Sequence, residues 1–269
     1  MFPYIELSNG RIGTYMLCSL VGIFVAGIYV CRSAKKRGHD DNDFIVLMLF
    51  SAIGVLVGGH LLYGITNING IWLLLSDWSR YVKSFNDFID CVSLLFGGSV
   101  FYGGLIGGIT AGYIYAKVKK FDLKEFSDIC APMVPLFHTF GRIGCFFGGC
   151  CYGIESEFGY TIHGNDLIPT VNDVNRFPVQ LMEAVLNFLL FLLLDYLLRK
   201  GKVKGGLFAL YLVIYAIIRF LDEFLRGDLY RGFLFGLSTS QIISIILFVC
   251  AGVYLLKRAV KLKRQRNIT

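Results

Sequence analysis

Charged residues are scarce in this sequence, and their scarcity excludes an ordinary soluble domain. Only 17% of the 269 residues are charged, whereas 55% are hydrophobic and the mean hydropathy is +0.63. A soluble domain usually carries about 25% charged residues. Proline is also rare, with 5 residues, and the sequence has no low-complexity tract, internal repeat or linker that would indicate a second domain. We therefore expect residues 1–269 to form one domain embedded in a membrane.

Long apolar stretches recur along the chain and predict the membrane spans. A helix needs roughly 18 or more apolar residues to cross a hydrocarbon core of about 30 Å. We predict spans at 12–31, 44–65, 91–116, 128–147, 178–198, 205–225 and 236–256. The third contains Gly97-Gly98 and Gly103-Gly104, and glycine pairs at membrane depth predict a broken or partly re-entrant helix. The predicted fold class is an all-α integral membrane protein with about seven transmembrane helices.

The net charge of +7 reflects membrane topology rather than nucleic-acid binding, because the basic residues cluster at the ends of apolar stretches. Eighteen of the 26 Lys and Arg residues fall on one side of the predicted membrane, six fall on the other side, and Arg142 and Arg219 lie within spans. This bias predicts an outside N-terminus and an inside C-terminus. It also predicts a small extracytoplasmic cap at 148–177 and a basic cytoplasmic tail at 257–269.

Polar residues in all seven predicted spans fall at one depth. With a rise of 1.5 Å per residue, they lie roughly 21–25 Å from the cytoplasmic boundary, in the outer half of the hydrocarbon core. These residues are Tyr15, His60, Tyr102, Arg142, Glu183, Arg219 and Gln241. Polar residues at such a depth usually face a cavity and mark function.

The two intramembrane arginines indicate a phosphate-binding site open to the outer leaflet. A guanidinium stays charged and binds oxyanions through a planar fork. On the fourth span, His138, Arg142 and Cys145 share one helical face. The structural alternative is that the arginines only hold the helices together, with Arg142 pairing with Glu183 and Arg219 with Glu223.

The 8 cysteines lie mostly within apolar stretches, where a small polarisable side chain packs well. Only the vicinal pair Cys150-Cys151 differs. It lacks a partner CxxC motif or a histidine at zinc-ligand spacing. We therefore predict a packing role or an incidental disulfide for this pair, and no metal site.

The ordered motifs of this chain resemble those of the prolipoprotein diacylglyceryl transferase family. The main matches are Gly141-Arg142-Ile143-Gly144, Tyr102-Gly103-Gly104-Leu105-Ile106-Gly107 and Tyr215-x-x-x-Arg219-x-x-x-Glu223-x-x-Arg226. Weaker matches are Tyr15, Gly58-Gly59, Pro178-x-Gln180-Leu181-x-Glu183 and Gln241. Each motif alone is weak, but together they follow the family's order and cover nearly the whole chain.

The resemblance implies a seven-span enzyme of the bacterial cytoplasmic (inner) membrane with its active site facing the outer leaflet. It implies transfer of a diacylglyceryl group from phosphatidylglycerol to the lipobox cysteine of a preprolipoprotein, with release of glycerol phosphate and without a cofactor. The implied partners are phosphatidylglycerol, preprolipoprotein signal peptides and the lipid bilayer, and not nucleic acid. Arg142 and Arg219 would bind the phosphate, with Tyr15 and Tyr215 near it.

From the polar layer and this resemblance together we select the candidate site residues. The catalytic candidates are Arg142, Arg219, Tyr102, Glu183 and His60. The candidates for substrate contact are Tyr15, Gly103, Gly104, Arg142, Cys145, Gln180, Tyr215, Arg219, Glu223 and Gln241.

The chain departs from the family pattern at several of these positions. Tyr102 stands where the family usually has His, Cys145 where it has Asn, and His60 where it commonly has Arg. Gly148-Gly149-Cys150 replaces an Asn-Gly-Glu run. Tyr, with an unperturbed pKa of about 10, is a poorer base at neutral pH than His.

Three functional interpretations stay open on the sequence. The first is a divergent transferase that relies on phosphate stabilisation, with His60, Glu183 or Tyr102 as the base. The second is a phospholipid-dependent transferase with another acceptor. The third is a transporter or lipid-binding protein without chemistry, against which the nearly apolar inner halves of the spans argue.

Overall fold

The structure, a computed structural model, describes residues 2–7, 10–165, 168–228, 232–234 and 236–266. Its helices are α1 Thr14–Lys35, α2 Asp41–Thr66, α3 Ile68–Ser76, α4 Trp78–Tyr81, α5 Phe85–Phe96, α6 Phe101–Val118, α7 Leu123–Cys130, α8 Met133–Gly148, α9 Val179–Arg199, α10 Leu207–Asp222 and α11 Thr239–Arg266. Three two-stranded antiparallel sheets join β1 Tyr4–Leu7 to β2 Gly10–Gly13, β3 Glu155–Thr161 to β4 Asn175–Arg176, and β5 Phe233–Leu234 to β6 Leu237–Ser238. The chain divides into two compact units, one formed by Met1–Ser33 with Lys124–Thr269 and the other by Ala34–Leu123.

Five helical stretches of the described chain are long and apolar enough to cross a membrane. They are Thr14–Lys35, Asp41–Thr66, Leu123–Gly148, Val179–Arg199 and Thr239–Gln265. Large apolar side chains along them are exposed, as expected where lipid rather than water is the solvent. The predicted integral membrane protein is thereby confirmed. The predicted third and sixth spans correspond to the shorter helices α6 and α10, of 18 and 16 residues, so the count of seven crossings stays a prediction.

The predicted break in the third span is present in the second unit. Helix α5 ends at Phe96 and α6 begins at Phe101, and the intervening residues are not helical. His60 on α2 places its Nδ1 2.7 Å from the Phe96 carbonyl oxygen and 2.9 Å from that of Gly98. Backbone polar groups at membrane depth need such partners because lipid supplies none. His60 therefore stabilises the break.

A seam of glycines holds α2 against α6 in the same unit. Gly54 and Gly58 on α2 face Gly103 and Gly107 on α6. A Cβ atom added at Gly103 would collide with the Gly58 carbonyl oxygen, and one added at Gly107 would collide with that of Gly54. Small residues four apart allow two helix backbones to approach closely in a membrane.

In the first unit, α8 packs along α9, α9 contacts α10, and α10 packs along α11. The apolar centre of this bundle consists of Ala131, Leu190, Leu194, Leu207 and Tyr211. Helix α1 approaches α8 at Gly144, where an added Cβ would lie 3.2 Å from the Tyr15 Cα atom. This approach brings the end of α8 next to Tyr15.

Asp128 on α7 completes the first turn of α10. Its buried carboxylate accepts the backbone N–H of Gly205 and, at 2.8 Å, that of Leu207. The first N–H groups of a helix have no partner within the helix, and a carboxylate there is also favoured by the helix dipole. One side chain thus joins α7 to the start of α10.

The predicted cap at 148–177 is a folded insertion between α8 and α9. It contains the paired strands β3 and β4 and a small apolar cluster of Tyr152, Ile162 and Val171. The Arg176 guanidinium lies 4.4 Å from the centre of the Tyr152 ring and donates to the Gly153 carbonyl oxygen at 3.3 Å. Asp166 and Leu167 of this segment lie outside the described residues.

We expect Gly54→Ala to lower the thermal midpoint of the detergent-purified protein, because the added methyl group would meet the Gly107 carbonyl oxygen and the Ala111 Cβ at 2.7 Å. Overpacking of this kind costs about 1–3 kcal/mol. Gly252→Ala on α11 is the matched control, since a Cβ there meets nothing within 4 Å. Equal thermal midpoints for the two variants would contradict the glycine seam.

Candidate active site

The first unit contains two buried ion pairs. Arg142 on α8 contacts Glu183 on α9, with 2.8 Å between Nη2 and Oε1. Arg219 on α10 contacts Glu223 one turn later, with 2.8 Å between Nη1 and Oε2. The two arginine side chains are only 12% and 11% exposed. Both pairs are those named by the structural alternative, and they explain how two charges are tolerated inside the bundle.

The carboxylates orient the arginines without exhausting their donors. A guanidinium has five N–H donors in a fixed fork, and one carboxylate oxygen engages only part of it. Arg219 also donates from Nη2 to the Ser240 hydroxyl on α11 at 2.9 Å. Both guanidiniums therefore have an ion-pair partner, Arg219 is held by Ser240 as well, and both retain donors for an oxyanion.

An aromatic stack lies beside the arginines. The ring centres of His138 on α8 and Tyr215 on α10 are 5.2 Å apart, and Tyr211 stacks on Tyr215 at 5.7 Å. His138 and Tyr215 each lie within electrostatic range of both Arg142 and Arg219. The buried His138 Nδ1 has no hydrogen-bond partner among the described residues. Tyr215 thus belongs to the same electrostatic environment as both arginines.

Gln180, at the start of α9, holds the turn between α8 and the cap. Its side chain is fully buried, donates from Nε2 to the Cys150 carbonyl oxygen at 2.9 Å, and accepts the Tyr160 hydroxyl at 3.2 Å. Gly149 ends α8 in the left-handed conformation, with φ of 71°, which favours glycine. The chain then returns over the helix end.

The turn brings a third cysteine to the vicinal pair. The sulfur atoms of Cys145, Cys150 and Cys151 all lie within 4.8 Å of one another. Cys145 is buried in the last turns of α8, and the other two are partly buried. All three are free thiols, so the incidental disulfide is not present.

Three other predicted contact residues of the first unit have clear local surroundings. Gln241 is buried at the start of α11, where its Oε1 accepts the Ser238 N–H at 3.0 Å and its own N–H bonds the Ser238 hydroxyl at 3.2 Å. Glu223 is the carboxylate partner of Arg219. Tyr15 is 50% exposed, beside Gly144. Gln241 therefore has a helix-capping role, whereas Tyr15 is accessible to a ligand.

The remaining predicted residues belong to the second unit. Tyr102 lies in the first turn of α6 and is 39% exposed. Gly103 packs against the backbone of Gly58, and an added Cβ at Gly104 would lie 3.2 Å from Val55. When the His60 Nδ1 donates to the carbonyl oxygens, the neutral ring carries its lone pair on Nε2. His60 is thus held in the tautomer that a base at Nε2 requires.

The predicted site omits several polar residues of the first unit, among them His138, Asp222 and Ser240. His138 had a sequence signal, since it precedes Arg142 by one helical turn. Asp222 is 2% exposed and its Oδ2 has no hydrogen-bond partner among the described residues. Ser240 had no signal, because only the packing of α10 against α11 brings it to Arg219.

Comparison with known proteins gives a consistent result. The family described as prolipoprotein diacylglyceryl transferase matches residues 4–257. A phosphatidylglycerol–prolipoprotein diacylglyceryl transferase of Clostridium tetani is 34% identical over 244 residues, which cover 91% of this chain and 92% of the relative. Proteins of the same name from Clostridium perfringens and Geobacter sulfurreducens are 32% and 34% identical, covering 97% and 92% of this chain and 96% and 93% of the relatives.

We expect Glu183→Gln to lower the thermal midpoint strongly, because it leaves the buried Arg142 charge without its carboxylate. Breaking a buried pair costs about 3–5 kcal/mol, whereas replacing both partners by apolar residues costs much less. The double variant Arg142→Met/Glu183→Leu should therefore recover part of the loss. Glu157→Gln, at an exposed position of the cap, is the matched control. If the double variant lost as much stability as Arg142→Met and Glu183→Leu lose separately when added together, the pairing would be contradicted.

Proposed function

Because this chain belongs to the prolipoprotein diacylglyceryl transferase family, we propose that it transfers a diacylglyceryl group from phosphatidylglycerol to the lipobox cysteine of preprolipoproteins. The observation that carries the proposal is the pair of buried arginines, Arg142 and Arg219, each held in direction by a carboxylate. Their N–H groups supply hydrogen-bond donors for a phosphodiester within an apolar protein.

The reaction is an alkylation of a thiol. The acceptor sulfur, after losing its proton, attacks the glycerol carbon that carries the phosphate and forms a thioether. The bond between that carbon and the phosphate oxygen breaks, and its electrons leave with glycerol phosphate. Charge grows on the departing phosphate, so two preorganised guanidiniums stabilise the transition state.

The arginines have defined neighbours. The Glu183 and Glu223 carboxylates are their ion-pair partners, and the ring of Tyr215 contacts His138 on α8. Tyr15, which is exposed beside the end of α8, provides a hydroxyl for the head group. The remaining arginine donors bind the phosphate oxygens.

The base that takes the thiol proton is one of His60, Glu183 and Tyr102. Glu183 is already engaged in the ion pair with Arg142. His60 holds a lone pair on Nε2 when its Nδ1 donates to the backbone. Tyr102 is the poorest base of the three at neutral pH.

The topology belongs to the same proposal. The chain acts as one domain that crosses the cytoplasmic membrane seven times, with the N-terminus outside and the C-terminal tail at 257–269 inside. The cap at 148–177 then lies outside, and the arginines face the outer leaflet. The distribution of lysine and arginine along the sequence supports this orientation.

We expect Arg142→Ala and Arg219→Ala each to reduce transfer from labelled phosphatidylglycerol to a lipobox peptide by about 100-fold or more. Arg142→Lys keeps the charge that balances Glu183 but loses the fork, so it should fold and still transfer poorly. Arg199→Ala is the control, because that arginine is exposed at the end of α9. Wild-type turnover in folded Arg142 and Arg219 variants would overturn the phosphate site. Binding of phosphatidylglycerol without any transfer would overturn the proposed catalysis.

We expect Tyr102→Phe to retain transfer within about tenfold of the wild type, because a phenol contributes little as a base at neutral pH. His60→Asn, tested in the same assay, measures the contribution of the imidazole. A loss for Tyr102→Phe as large as that for Arg142→Ala would show that the phenol takes part in the chemistry.

A further inference from the structure

The three sulfur atoms at the end of α8 have the spacing of a metal site. In a tetrahedral zinc site each Zn–S bond is about 2.3 Å, which places two ligating sulfurs about 3.8 Å apart. The sulfurs of Cys145, Cys150 and Cys151 all lie within 4.8 Å of one another, so small rotations bring them to that distance. Among the described residues, this is the one group of three Cys, His, Asp or Glu side chains with such convergence.

The backbone around the cysteines is held in place from several sides. The N–H of Cys150 bonds the Cys145 carbonyl oxygen at 3.2 Å, which closes the turn over the helix end. Gln180 fixes the Cys150 carbonyl group from α9. Beyond the pair, the N–H of Gly227 bonds the Tyr152 carbonyl oxygen at 2.9 Å. Outer contacts of this kind orient the ligands of a metal site.

The charges around the cluster favour thiolates with a divalent ion. Three thiolates and Zn²⁺ carry a net charge of −1. The guanidiniums of Arg142 and Arg226, which are paired with Glu183 and Asp228, also lie within electrostatic range of Cys151.

We propose that Cys145, Cys150 and Cys151 bind one zinc ion through their thiolates, and that the acceptor thiol of the substrate takes the fourth position. Three protein ligands with one open position are the pattern of catalytic zinc sites, whereas structural sites have four protein ligands. The role of the acceptor thiol as fourth ligand rests on the proposed function, whereas zinc binding by the three cysteines does not.

Zinc coordination explains how the thiol is activated without a strong base. A thiol bound to zinc gives up its proton even to the weak base of the site and remains a nucleophile. Its sulfur electrons then form the bond to the glycerol carbon, and glycerol phosphate leaves with the electrons of the broken C–O bond. The thioether product is neutral and a weaker ligand, so it dissociates. This chemistry agrees with Tyr102 at the position where the family usually has a histidine.

The first experiment measures metal content in the full-length protein, purified in detergent through a tag without histidine. We expect about one zinc per chain in the wild type and in the control Cys250→Ser, whose cysteine is exposed on α11. Cys145→Ser and the double variant Cys150→Ser/Cys151→Ser should lose the zinc. Cobalt added to the chelated wild type should give a thiolate-to-cobalt charge-transfer absorption that the variants lack. Absence of both signals, or a disulfide among these cysteines in the isolated protein, would overturn the site.

The second experiment tests the role of the zinc in transfer. Treatment of the wild type with a chelator should lower transfer to the lipobox peptide by at least about tenfold, and added zinc should restore it. This measurement needs no variant and therefore does not depend on the folding of the serine variants. Full transfer by the zinc-free protein would overturn the role in acceptor binding. A zinc-loaded protein without transfer under any condition would overturn the proposed function and leave the metal site standing.

Discussion

The contact between Arg142 and Glu183 is the interaction on which the first unit depends. Each group alone would be an unpaired charge inside an apolar bundle, and such a charge costs several kcal/mol. Because Arg142 belongs to α8 and Glu183 to α9, the pair fixes the register of these two helices. The register then places Gln180 on the turn after α8. The same contact thus supports the fold and directs a guanidinium into the candidate site.

Much of this arrangement could be predicted from the sequence, because depth and helical face depend on residue spacing alone. The alignment of Arg142, Glu183 and Arg219 at one height predicted a polar layer, and the structure brings Arg142 to Glu183. The four-residue spacing of Arg219 and Glu223 predicted their contact. The glycine pairs predicted the break between α5 and α6. These features are local or depend on a single coordinate, the distance along a helix.

The features that could not be predicted depend on the rotation of helices against one another and on the turns beyond their ends. The contact of Arg219 with Ser240 requires the packing of α10 on α11, which no spacing within either helix specifies. The convergence of Cys145 with Cys150 and Cys151 requires the left-handed turn at Gly149. A search for cysteine motifs by spacing misses this group because its third member lies inside the preceding helix. Gly103 likewise has a packing role that its place in a family motif does not reveal.

The hydrogen bonds from Gly205 and Leu207 to Asp128 have a consequence for the synthesis of the protein. The carboxylate belongs to a helix that is translated long before its partners, which come 77 and 79 residues later along the chain. Since the ribosome delivers the chain from the N-terminus, Asp128 has no access to these donors while α8, the cap and α9 are being made. The early part of the bundle must therefore keep this acid hydrated or protonated until the next helix arrives. Once α10 is synthesised, its first N–H groups bind the Asp128 carboxylate, and the burial of this group is complete.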